Sequence, residues 1–96
     1  MRNLIIINTA PQLEEEMVDF LLMHEHLTGF TSFPVRGHGR VHSLTIAEQV
    51  AGRQKRLQFE VFIEADHVDV FTDSLVSVGK DILYWVLPVL KSGRTE

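Results

Sequence analysis

Between Leu57 and Val78 the apolar residues change their period, and that change constrains most of what the chain can fold into. Leu57, Phe59, Val61 and Ile63 alternate with Gln58, Glu60, Phe62 and Glu64, the period expected of a strand with one face on a core. Val68, Phe71, Leu75 and Val78 then recur at helical spacing, with Asp66 as the expected N-cap and Gly79 as the expected stop. A strand that hands over directly to a helix predicts a sheet with helices layered on it.

The N-terminal half carries the same kinds of element. Asn3 to Asn8 is an apolar, β-branched run of strand length, closed by Thr9-Ala10-Pro11, where proline suits a first helical turn. Leu13, Met17, Phe20, Leu21 and Leu27 then keep helical spacing; Glu14, Glu15 and Glu16 favour the positive end, and Thr28-Gly29 closes the run. Phe30 to His38 reads as a second strand, irregular because Pro34 removes one ladder hydrogen bond and so favours an edge or a bulge.

Ile82 to Leu90 is a last strand, apolar on both sides, with Leu83, Trp85, Leu87 and Val89 on one and Tyr84, Val86, Pro88 and Leu90 on the other. The order strand, helix, strand, strand, helix, strand predicts an α+β, ferredoxin-like βαββαβ fold, an antiparallel sheet with both helices on one face. Residues 1–96 then form a single domain, with Ser92 to Glu96 as a short polar tail. The face away from the helices is left bare. Ile5, Ile7, Phe62, Tyr84 and Val86 are the residues expected on it, a patch large enough to predict a homo-oligomer joined through the sheets.

Composition narrows the function. A net charge of −4 argues against general nucleic-acid binding, which needs a positive surface. No cysteine is present, which removes disulfides, thiolate metal sites and cysteine nucleophiles together. The apolar run Leu4 to Ile7 is too short for a signal-peptide core, and no later segment approaches a membrane span, so a soluble cytoplasmic protein is expected.

Function is expected where the second strand leaves the sheet. From Gly37-His38-Gly39-Arg40 to Arg53-Gln54-Lys55-Arg56 runs a long polar connection, about residues 39–54, and such connections in compact domains usually serve a purpose. Two glycines around His38 allow close backbone approach, while Arg36, Arg40, Arg53, Lys55 and Arg56 face only Glu48 in the same stretch. Phosphate or carboxylate fits that charge; the plainer alternative is a turn with solvated arginines. Thr45 with Glu48 matches a capping box and Gly52 a helix stop, so a short amphipathic helix presenting Leu44, Ile46 and Val50 is one form the connection can take. It would dock on a partner, fold back on its own assembly, or stay disordered until a partner arrives.

Over nearly the whole chain the sequence resembles a PII-like protein, with segments similar to those of PII signal proteins. Val35-Arg36-Gly37-His38-Gly39-Arg40 is similar to the Val-Lys-Gly-Phe-Gly-Arg segment that opens their T-loop, and Arg56-Leu57-Gln58-Phe59-Glu60-Val61 to the Lys-Val-Lys-Ile-Glu strand after it. Gly93-Arg94-Thr95-Glu96 resembles their Arg-Thr-Gly-Glu tail. Gly29 to Val35 and Tyr84 to Val89 look like signatures of a proteobacterial PII-like family of unknown function, found beside heavy-metal efflux systems. The resemblance implies a homotrimer with inward-facing sheets, effector clefts between subunits, and a loop that contacts a target protein, a membrane transporter being one candidate. It also implies Gly37, Gly39, Arg56 and Arg94 as effector-site residues. The Gly-Asp-Gly-Lys segment of true PII proteins is replaced here by Val78-Gly79-Lys80-Asp81, Ser92 stands where a second tail arginine would align, and the loop holds no tyrosine.

The predicted effector set is therefore Gly37, Gly39, Arg40, Arg53, Arg56 and Arg94, for a phosphate-bearing metabolite or nucleotide. Histidine supplies the alternative. His38 and His42 at the loop base would suit a divalent or transition metal, in a protein linked to metal tolerance or efflux. His24 and His26 close the first helix and His67 opens the second; His24 falls on the apolar stripe, where packing accounts for it. Asp66, His67 and Asp69 look like a polar first turn and no nucleophile motif is present, so no enzyme is expected. A purely structural trimer without a ligand is the remaining alternative.

Overall fold

A computed structural model describes residues 1–27, 29–38 and 54–96. Strand β1 (Arg2–Thr9) leads through a tight turn at Pro11–Leu13 into α1 (Glu14–Met23). Then come β2 (Phe30–Gly37), β3 (Gln54–Glu64), a turn at Ala65–His67, α2 (Val68–Ser74), a further turn at Leu75–Ser77, and β4 (Leu83–Pro88). The sheet order is β2-β3-β1-β4 with every neighbouring pair antiparallel, the ferredoxin-like arrangement. The region around residues 43–52, with its expected amphipathic helix, lies outside the described residues. No described helix is long and apolar enough to cross a membrane.

The alternation in β3 sets the phase of the whole sheet. Leu57, Phe59, Val61 and Ile63 are buried together with Met17 and Leu21 of α1, Phe71 of α2 and Leu75 just after it. Residues opposite one another in an antiparallel pair point to the same face. Ile5 stands opposite Val61 and Val86, and Ile7 opposite Phe59 and Tyr84, so all six lie on the helix side. Burying each of these large side chains contributes roughly 1.5–3 kcal/mol, which makes this register far more stable than one shifted by a residue.

That register corrects the expected composition of the bare face. Ile5 and Ile7 are fully buried under the helices rather than uncovered. Tyr84 and Val86 also sit on the helix side, yet remain 47% and 37% exposed, because β4 is an edge strand that the helices do not reach across. Phe62 does lie on the bare face, opposite Leu4, which in turn stands opposite Leu87. Ile6 with Trp85 completes the apolar part, so β1 and β4 present the side chains that were expected to point inward. β1 is apolar on both sides, and its sequence alone cannot set the phase.

Three further expectations need correction. Helix α1 ends at Met23, not near Leu27: His24 is already extended, and its N–H closes the last turn on Leu21 O at 3.2 Å. Asp66 caps no helix, because β3 runs to Glu64 and turns at once, Ala65 N–H donating to Met1 O at 2.8 Å. Nor does Gly79 supply a left-handed stop. That conformation falls on Asp81, at φ 59°. Gly79 instead lies under Leu13, where an added Cβ would come within 2.8 Å of a methyl group.

Candidate functional site: a groove at the start of β3

Where β1 ends and β3 begins, a groove of about 290 Å³ opens, lined by Asn8, Gly37, His38, Gln54, Arg56, Asp81, Leu83 and Trp85. Arg56 is its centre. Asn8 stands opposite both Gln58 and Leu83, which puts it on the bare sheet face, and Arg56 lies on that face two residues before Gln58. Its side chain is nonetheless only 4% exposed.

Four hydrogen bonds hold that guanidinium. Nε donates to Asn8 Oδ1 at 2.6 Å and Nη1 to Asp81 Oδ2 at 3.3 Å, while Nη2 donates to the backbone oxygens of Asn8 and Asp81, each at 3.0 Å. They engage four of the five N–H donors of the group and tie the end of β1 to the entry of β4. The left-handed backbone of Asp81 lets its carbonyl and its carboxylate point at one arginine. Gly37 contributes by having no side chain: a Cβ there would lie 3.3 Å from Arg56 Cγ.

Of the sequence-predicted residues, Gly37, His38 and Arg56 meet in this groove. Arg94 does not. It lines an open cavity of about 680 Å³ with Arg2, Phe62, Ser92 and Gly93, at the opposite end of the same sheet face. Phe62 and Arg56 are six residues apart along β3, roughly 20 Å at strand rise, so the two arginines of one chain cannot grip one small anion. Arg36 and Lys55 stand opposite each other in the β2–β3 ladder and project to the other side of the sheet from Arg56. Gly39, Arg40, His42 and Arg53 lie outside the described residues. Among the described residues, no three His, Asp or Glu side chains are arranged to hold a metal ion.

Sequence reasoning missed Asn8, Asp81, Leu83 and Trp85. Leu83 and Trp85 were expected to share a face, which they do, but nothing local joined that face to the arginine. Asn8 carries a weak signal, being the polar residue that ends the Leu4–Ile7 run. Asp81 carries none, since a partner for a guanidinium 25 residues away follows no spacing rule.

Comparison with known proteins gives the fold a family. A family profile described as protein of unknown function (DUF3240) matches residues 2–96. The crystal structure of a DUF3240 family protein from Shewanella baltica OS155 at 2.40 Å resolution is similar, with a TM-score of 0.82 and 21% sequence identity, covering 99% of this chain and 97% of that one. No curated protein matches.

Proposed function

The chain belongs to the DUF3240 family of proteins of unknown function, and from its sequence resemblance to PII proteins and the geometry of the groove we propose a PII-like regulatory role: a cytoplasmic homotrimer that binds a phosphate-bearing effector in clefts between subunits. One observation carries this reading. The Arg56 groove opens at the rim of an uncovered apolar sheet face, so a second copy seated on that face would wall the groove and deepen it. The uncovered face includes Phe62, Leu83, Trp85 and Leu87, and β4 adds a strand edge with unpaired backbone.

The charge in the groove fits an inter-subunit site better than a complete one. Asp81 offsets much of the Arg56 charge, so an anion needs further cations. Arg94, out of reach within its own chain, is supplied in this reading by a neighbour, as the PII resemblance implies. Gly39, Arg40 and Arg53, from the connection that follows His38 in sequence, complete the proposed effector set. The same connection would contact the target protein, a membrane transporter among the candidates, and no catalytic step is required. His38 in the groove makes a transition metal the competing ligand, with His42 beside it in sequence.

Light scattering and calorimetry on the full chain test the reading together. A mass of three copies and heat on adding adenine nucleotide, both lost or weakened in Arg94→Ala, support it. Heat with zinc or nickel instead, abolished in His38→Ala, transfers the site to the metal reading. A trimer that binds neither ligand class leaves a structural assembly, and a one-copy mass removes the clefts.

A further inference from the structure

On the helical layer, apart from the residues that line the groove, three histidines gather between the segment after α1 and the turn before α2. The His26 and His67 rings stack with centroids 3.7 Å apart and planes within 10°. The His24 ring stands 5.7 Å from His26 and meets Phe71 edge-on at 5.1 Å, with Phe20 at 6.3 Å. Its Nδ1 is buried and finds no hydrogen-bond partner. The cluster thus joins the end of α1 to the start of α2 through rings alone.

Neutral rings suit this packing and charged ones do not. Two parallel imidazoles in van der Waals contact repel once both carry a proton, and the aromatic edges around His24 offer a cation no acceptor. From the α1 side Glu25 is set against the cluster, its Oε1 3.6 Å from His26 Nε2 and itself well exposed. Asp66 and Asp69 flank His67 in sequence on the α2 side. Burial first, then the neighbouring His26, holds the His24 imidazole below its ordinary protonation range, while Glu25 opposes them and His67 adds to them. A shared metal ion does not account for the cluster, because parallel rings this close cannot aim their lone pairs at one centre.

We propose that His24, His26 and His67 form a proton-operated latch between α1 and α2, closed while the imidazoles are neutral and released by their protonation. Release frees residues 24–27, which lead into β2, and the far end of β2 supplies Gly37 to the groove.

Hydrogen exchange on the full chain at about pH 7.5 and pH 5.0, each corrected for intrinsic rates, reads the latch directly. Expected at the lower pH is a roughly tenfold loss of protection in residues 22–27 and 65–70, with β1 and β3 changing less than about twofold. His67→Phe keeps a flat ring but removes the charge repulsion across the stack, so its loss of protection at the lower pH should be clearly smaller than in wild type. His26→Phe serves the same purpose if that variant does not fold. Equal protection at the two pH values, loss spread evenly over the sheet, or a Phe variant that opens as wild type does would each overturn the latch. So would added zinc that protects the two segments, since the cluster would then be a metal site.

Discussion

Arg56 Nε lies 2.6 Å from Asn8 Oδ1, the shortest of four bonds that fasten the most deeply buried cation among the described residues to the end of β1. The arginine is thus a structural tie as well as a groove residue, and its removal takes a donor from two backbone carbonyls and an amide oxygen. Arg56→Ala is expected to lower stability by about 2–4 kcal/mol in urea unfolding. Arg56→Lys should recover less than half of that loss, because one ammonium cannot span acceptors on both sides of the fork. A loss under about 0.5 kcal/mol, the range of ordinary surface substitutions, would show the tie to be dispensable.

Asp81 holds the other half of that tie in a left-handed backbone at φ 59°. Residues with a Cβ resist this conformation by roughly 1–2 kcal/mol, Asp less than most because it bonds locally. Asp81→Gly and Asp81→Ala both delete the carboxylate contact to Arg56, so their difference isolates the backbone term. The glycine variant should be more stable than the alanine variant by about 1 kcal/mol in thermal or urea unfolding. Equal stabilities would mean that the turn relaxes out of the left-handed region when the carboxylate is gone.

The legible part of the fold is the part with a phase. β3 alternates except at Phe62, so its core face was readable from Leu57, Phe59, Val61 and Ile63 without any partner. β1 and β4 are apolar on both sides, and only the pairing of Ile5 with Val61 and Val86 decides which side meets the helices. That is why Ile5 and Ile7 were expected on the wrong face. In the candidate site, Gly37, His38 and Arg56 were readable because they sit at the feet of one connection. Asn8 and Asp81 were not, since the bonds they accept span 48 and 25 residues of sequence. Arg94 was grouped with Arg56 by resemblance alone, and within one chain the two lie at opposite ends of the sheet face.

The bare sheet face predicts how the proposed assembly fails. Trp85 stands opposite Ile6 at its middle and is 44% exposed in one chain, a large apolar side chain without a cover. A carboxylate placed there would be buried against apolar neighbours in the assembly but solvated in the lone chain, a difference of several kcal/mol. Trp85→Glu should shift the light-scattering mass from three copies to one at micromolar concentration while circular dichroism stays close to wild type. Val70→Glu, on the exposed outer side of α2, should leave the mass unchanged. An unchanged mass for Trp85→Glu would place any assembly elsewhere on the molecule.

Acid should weaken the chain through His24 in a direction that can be worked out. Burial, then repulsion from His26, lowers the folded-state pKa beneath the ordinary 6.5. The unfolded chain therefore binds the proton more readily, and stability falls as pH drops from about 6.5 toward the lowered folded value. Above that window the contribution is whole. Urea midpoints measured between about pH 7.5 and pH 5.5 should decline in wild type, with the slope reduced in His24→Leu. The leucine also removes a buried nitrogen without a partner, so this variant should gain about 1 kcal/mol at neutral pH. A His24→Leu profile parallel to wild type would mean that another group carries the acid sensitivity.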